Sequence, residues 1–268
     1  MSITRIIMMT DMEGAAGVVS FEAQSSASSR YYDQARMIVT AEVNAAVEGL
    51  LEAGVEDILV IDGHGPGAIH FETLHPEARL MHGRPISLAR ECARVLPDFD
   101  ATCIIGQHAM CGAPDGTMNH TQSSATVEYY RLNRTAIGEI AQWALFAGAF
   151  GVPAIFLSGD GAACREAEAL IPGIGTAAVK EGLSRSAAIS LSPLKAQELI
   201  RERIGRAVRR QTSAPLAPLS WPGPYLLEKR FLAPGFVERY QAHRLLHRIV
   251  DERTVQLKAE DIKDIIFA

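Results

Sequence analysis

The chain has 268 residues, 48% of them hydrophobic, with a formal charge of -5 at pH 7. That is enough apolar material for one large domain, or a domain with a smaller appendage, and it excludes a disordered chain. The acidic balance offers no basic field, so neither nucleic acid nor a membrane is expected as a partner. Cys92, Cys103, Cys111 and Cys164 are scattered without a CxxC pair. With no secretory signal, no apolar run of ~20 residues, and Met1 to Arg5 leading straight into the first apolar run, a reduced cytoplasmic setting is expected.

Ile6 to Met9 is short and wholly apolar and ends in Thr10-Asp11-Met12-Glu13-Gly14, which reads as a buried strand with two acids at its carboxyl end. Residues two apart on a strand point the same way, so Asp11 and Glu13 aim into one space, where they repel unless a proton or a cation lies between them. A cation is the expected answer. Ser20 to Ser29 reads as a loop close enough to cover these acids. Apolar residues from Ala35 to Leu50 recur at helical spacing within Tyr31 to Leu51, and Gly54 marks the stop. Glu56 to Asp62 is a second strand ending in Gly63-His64-Gly65, and after a helix over Ser87 to Leu96, Ala101 to Ile105 is a third, ending in Gly106-Gln107-His108. A helix over Ile137 to Phe150 carries Glu139 in its first turn. Pro153 to Asp160 is another strand with an acid at its tip.

Strands alternating with helices, each with a polar residue at its carboxyl tip, predict an α/β fold: a doubly wound, mostly parallel sheet whose site lies outside the carboxyl ends of the strands. Asp11, Glu13, His64, His108 and Asp160 all fall there, and Glu139 can reach the same edge. Beyond Ala162 the pattern predicts a helix over Glu166 to Leu170, an edge strand over Thr176 to Lys180, and a charged helix from Ser192-Pro193 to about Arg210. A proline-rich linker follows over Pro215 to Pro224, then strands at Tyr225 to Glu228 and Thr254 to Leu257 with a helix near Gly235 to Val250 between them. The expected organisation is a metal-binding catalytic domain over 1–191 and a smaller α+β lobe over 192–268.

Three carboxylates and two imidazoles at one edge match the mixed oxygen and nitrogen ligand sets of zinc and related ions. With Asp11 bridging, Asp11, Glu13 and His64 can hold one divalent ion while Asp11, His108 and Glu139 hold another. Two such ions leave the site nearly neutral. His243 and His247 are four apart in the helix expected there, but the glutamate of HExxH is missing, and Arg244 and Arg248 flank them, so a metal role is not expected. No GxGxxG, GxSxG or GxxxxGK[ST] supports a nucleotide-binding or serine-hydrolase reading. Three readings stay open from the residues: metal-assisted amide hydrolysis, a phosphatase with Asp11 as nucleophile, and a non-catalytic metal or small-molecule binder.

These motifs resemble those of the D-aminopeptidase family, dinuclear zinc peptidases named from bacterial dipeptide-transport operons. The SxDxEG opening of that family corresponds to Met9-Thr10-Asp11-Met12-Glu13-Gly14, its DxH loop to Asp62-Gly63-His64, and its GxHA strand end to Gly106 through Ala109. MxH corresponds to Met118-Asn119-His120, the helix start NxxxxGE to Asn133 through Glu139, GDDxA to Gly159 through Ala163, and AVKxxxSR to Ala178 through Arg185. The resemblance implies two zinc ions on Asp11, Glu13, His64, His108 and Glu139, a catalytic role for His120, a small peptide or amide as substrate, and a ring-like homo-oligomer. Two positions depart from the pattern: Met9 stands where serine is usual, and Gly161 where a second aspartate is frequent.

Overall fold

The computed structural model describes residues 3–268; Met1 and Ser2, the start of the expected lead-in, lie outside them. The first strand, β1 (Arg5–Thr10), is buried on both faces, with Ile6 and Met8 in one apolar core and Ile7 and Met9 in another. This is why the run carries no polar residue: each successive side chain meets a different covered face. The chain continues through a helical turn, α1 (Phe21–Gln24), within the segment expected to be only loop, into α2 (Tyr32–Glu52), β2 (Asp57–Asp62) and β3 (Ala78–Met81). Helical turns from Leu88, including α3 (Ala93–Val95), lead to β4 (Ala101–Gln107), β5 (Val127–Leu132) and β6 (Thr135–Ile137). Then come α4 (Glu139–Gly148), β7 (Ala154–Asp160), α5 (Gly161–Leu170), β8 (Gly175–Ser184), β9 (Ala187–Ser190) and α6 (Pro193–Ser213). The remainder is β10 (Tyr225–Phe231), β11 (Leu246–Asp251), β12 (Thr254–Ala259) and α7 (Ile262–Ile265).

The larger sheet has the order β3-β2-β1-β4-β7-β8-β9 and is parallel except where β9 runs antiparallel to β8. The chain moves outward from β1 to β3 and then crosses back to β4, so the order reverses between β1 and β4. In an open α/β sheet that is where a crevice opens. One face is covered by α2 and α6, which contact each other, around Val39, Val43, Leu50, Ile200 and Ile204. The other face is covered by α4 and α5, and beyond them lies an antiparallel sheet of order β11-β12-β10-β5-β6. The expected mixed α/β class is borne out.

Several details differ from expectation. The sheets do not divide at residue 192: α6 packs on the larger sheet, while β5 and β6, from the middle of the chain, complete the smaller one. The expected helix over Gly235 to Val250 is instead a loop with one helical turn at Glu238–Tyr240, followed by β11. Ile249 and Val250 are β-branched and exposed on β11, where Ile249 pairs with Val255 of β12, so His243 and His247 share no helical face. The strand expected over Thr176 to Lys180 is longer, and β9 rather than β8 forms the edge. The helix expected from Glu166 begins earlier, at Gly161, because the Asp160 carboxylate accepts the Ala163 amide at 2.7 Å and caps it.

Candidate metal centre

The site begins where β1 and β4 end side by side. Asp11 N donates to Ile105 O at 2.9 Å and Gly14 N to Gly106 O at 2.8 Å. Two chain turns fit here only because neither carries a side chain: a Cβ on Gly14 would lie 2.0 Å from Gln107 O, and one on Gly106 2.3 Å from Asp11 O. Gly106 also has φ +75, in the left-handed region.

This close approach brings the expected side chains into one buried cluster with Asp11 at its centre. Asp11 Oδ1 lies 3.2 Å from His64 Nδ1, and Asp11 Oδ2 lies 3.2 Å from His108 Nε2. On the first side Glu13 Oε2 is 3.1 Å from His64 Nδ1; on the second, Glu139 Oε1 is 3.5 Å from His108 Nε2 and 3.9 Å from His120 Nε2. The His108 and His120 rings stack with centroids 3.9 Å apart. Donor atoms of Asp11, Glu13 and His108, and of His108, His120 and Glu139, lie within reach of a common ion.

The chain fixes which nitrogen of each ring faces the acids. His64 Nε2 lies 2.8 Å from Ser25 O, His108 Nδ1 2.9 Å from Ala109 O, and His120 Nδ1 2.9 Å from Met118 O. A carbonyl only accepts, so each of these nitrogens carries the proton and donates it, leaving the opposite nitrogen with a lone pair toward the carboxylates. A lone pair and a carboxylate oxygen at about 3 Å repel, and something positive must lie between them. With protons as the only counter-charge, burial opposes charging His64, yet Glu13 and Asp11 hold it raised to about 11. His108 is likewise raised, against burial, by Glu139 and Asp11. Burial works to raise Asp11, but the two imidazoles bring it well below the usual carboxylate range. Burial and the neighbouring His108 lower His120, so it stays neutral. Glu13 Oε2 and His108 Nε2 make no hydrogen bond among the described residues despite being buried. Charge-dense oxygens, aimed lone pairs and unsatisfied buried atoms fit divalent cations of the kind bound by mixed carboxylate and imidazole sets.

Some groups in the site carry little signal in the sequence. Gln107 Nε2 donates to Asp11 Oδ2 at 3.2 Å, and the Gln122 amide donates to Glu139 Oε1 at 2.7 Å. Lys180, buried and pushed down to about 8 by that burial, donates to the carbonyls of Glu13 and Val18 and bolts the turn after β1 to β8. Its place in the AVK motif was the only hint. Asp160, expected at the same edge, does not join the cluster: it caps α5 and accepts the Thr117 amide at 2.9 Å, steadying the loop that carries His120. Both Asp11 oxygens are engaged, by Met12 N and His64 on one and by Gln107 and His108 on the other.

The cluster opens into a cavity of about 420 Å³ lined in part by Phe21, Ser25, Leu88, Trp143 and Phe267. A buried set of acids and imidazoles, at the switch point of an open parallel sheet and facing a cavity, defines a metal-dependent hydrolase. A family model described as D-aminopeptidase matches residues 4–268. The D-aminopeptidase of Bacillus subtilis (strain 168) is 33% identical over 262 residues, covering 96% of this chain and 92% of its own. Among solved structures, the zinc-dependent D-aminopeptidase DppA from Bacillus subtilis, a self-compartmentalizing protease, superposes with a TM-score of 0.89 at 31% identity, over 98% of this chain and 94% of that one. The chain belongs to the D-aminopeptidase family.

Proposed function

We propose that the protein releases N-terminal D-amino acids from short peptides or amides with two zinc ions, one held by Asp11, Glu13 and His64 and the other by Asp11, His108 and Glu139. The observation that carries this reading is the position of Asp11, whose two oxygens each face a different imidazole at 3.2 Å, as a carboxylate shared between two cations requires. Zinc is favoured by the imidazole content of the set and by the zinc-dependent relative. The chemistry such ions supply is to bring the pKa of water toward neutrality and to polarise a carbonyl.

The chain's own groups do the rest. His120, neutral and with its proton held at Nδ1 by the Met118 carbonyl, presents Nε2 as a base that takes a proton from water and returns it to the leaving amine. Gln107 and the Gln122 amide keep Asp11 and Glu139 from rotating. Phe21 packs against His120 in a T-shaped arrangement with ring centroids 5.4 Å apart.

The candidate ligands and His120 all fall within 1–191, the segment read as the catalytic unit. A ring-like homo-oligomer is supported by the self-compartmentalizing relative. A cytoplasmic setting is supported by four free cysteines, three of them buried. No helix among the described residues is long and apolar enough to cross a membrane.

Metal analysis of the purified protein, combined with hydrolysis of D-Ala and L-Ala oligopeptides, tests the proposal. Two zinc ions per chain and faster release from the D series are expected. A metal-loaded protein inert toward both series would instead be a non-catalytic binder.

A further inference from the structure

The peptide unit joining Ala109 to Met110 lies between two groups far apart in the sequence. Its carbonyl accepts the Nδ1 proton of His108 at 2.9 Å, and its N–H, which belongs to Met110, donates to Glu166 Oε2 at 2.8 Å. One peptide thus links an imidazole to a carboxylate. Hydrogen bonds in such a row polarise one another, so negative charge on Glu166 makes the carbonyl a stronger acceptor and draws on the His108 proton. An acceptor on the outer nitrogen of a metal-binding histidine fixes the ring and raises the basicity of the nitrogen that faces the metal.

The fold holds Glu166 in place for this. The Asp160 cap sets where α5 begins, and Glu166 lies one turn beyond Ala162 on the same side of that helix, where both line a cavity of about 580 Å³ together with Ala109 and Met110. Gly138, just before α4, makes the room: a Cβ there would lie 2.6 Å from Met110 Cβ and 2.8 Å from Glu166 Oε1. Glu166 therefore packs against both the segment that carries His108 and the residue that precedes Glu139. Its Oε1 is buried and makes no hydrogen bond among the described residues, so the Met110 amide is the bond through which the carboxylate acts. Burial pushes Glu166 up to about 7, opposed first by the Met110 hydrogen bond and then by the charge of His108. His64 has a different arrangement. The peptide whose carbonyl orients it sends its N–H, that of Ser26, to the neutral hydroxyl of Ser29 at 3.2 Å.

We propose that Glu166 is a positioning residue for the metal centre: through the Ala109–Met110 peptide its carboxylate orients His108 and strengthens it as a ligand, and so tightens the ion on Asp11, His108 and Glu139 but not the one on Asp11, Glu13 and His64. This rests on the two-zinc reading above. Glu166→Gln isolates the charge, because the amide oxygen still accepts from Met110, whereas Glu166→Leu removes the acceptor as well; the adjoining cavity has room for either side chain.

The test has two readouts on the full chain. Stepwise zinc affinities of the unmodified protein and both variants are measured by competition with a chromophoric chelator. Glu166→Gln should loosen one of the two ions about tenfold and leave the other unchanged, and Glu166→Leu should loosen that same ion further, toward about a hundredfold. In parallel, metal-free protein labelled with 15N-histidine reports the His108 Nδ1 proton, assigned by its loss in His108→Asn. That resonance should move upfield in Glu166→Gln while the corresponding one of His64 stays. Affinities unchanged in both variants, or both ions loosened equally by Glu166→Gln as a general packing defect would do, overturn the proposal. Should the unmodified protein take up fewer than two ions, the two-zinc reading falls and the metal-free spectra decide: a shifted His108 resonance supports the link to Glu166, and an unmoved one refutes it.

Discussion

Glu42 provides a test of the electrostatics that does not pass through the metal cluster. It sits inside α2 at 1% exposure, one oxygen accepting the Ala16 amide at 2.8 Å and the other buried without a hydrogen-bond partner among the described residues. Burial raises its pKa from 4.5 to about 7, only partly offset by the Ala16 hydrogen bond and the charge of Lys180. Because the folded state holds this proton more tightly than the unfolded chain does, the associated stability is fully present below about pH 4.5 and is lost as the pH rises through about 7. A shift of that size corresponds to about 3 kcal/mol. Glu42→Gln keeps the acceptor for Ala16 and removes the charge. The substituted protein should therefore match the original near about pH 4.5 and exceed it by up to about 3 kcal/mol above about pH 8, less whatever Lys180 loses with its neighbour. Urea unfolding of both proteins at the same concentration, followed through tryptophan fluorescence, measures this, and the metal cluster they share cancels in the difference. A stability difference independent of pH, or one favouring the original protein more at high pH, would refute the reasoning.

Other outcomes follow from the site. His120→Ala should retain its metal and lose turnover by about 10² to 10⁴-fold, read by metal analysis beside initial rates. Chelation of divalent ions should lower the thermal unfolding midpoint, since a ligand at a hundred times its Kd contributes about 2.7 kcal/mol; an unchanged midpoint would speak against ions held inside the fold. Gly14→Ala would force a methyl group to within 2.0 Å of the Gln107 carbonyl and should cost about 3 kcal/mol or more, together with loss of metal, in parallel melting and metal assays.

How much of this could be read from the amino acids depended on what signalled each part. β1, β2, β4 and β7 announced themselves because strands covered on both faces need unbroken apolar runs, and acids or histidines at their tips stand out against such runs. β5 and β6 did not, because Val127 to Leu132 mixes Glu128 and Arg131 with apolar residues on a half-covered sheet and follows a polar loop. Leu245, Leu246, Ile249 and Val250 mimic a helical stripe, and only pairing with β12 decides for a strand. In the site, the acids and imidazoles were legible from chemical type and position. The amide of Gln122, the carbonyls of Ser25, Ala109 and Met118, and the Phe267 wall were not, since main-chain groups have no letter and Phe267 lies more than 100 residues from its partners in the cavity.

Those three carbonyls have a corollary for substitution. Because the groups that orient His64, His108 and His120 belong to the backbone, no single side-chain replacement at Ser25, Ala109 or Met118 deletes them; only a change in the path of the chain can. What constrains those three positions is therefore packing, since Ser25, Ala109 and Met118 are all buried, and a replacement disturbs the rings only when it moves the main chain.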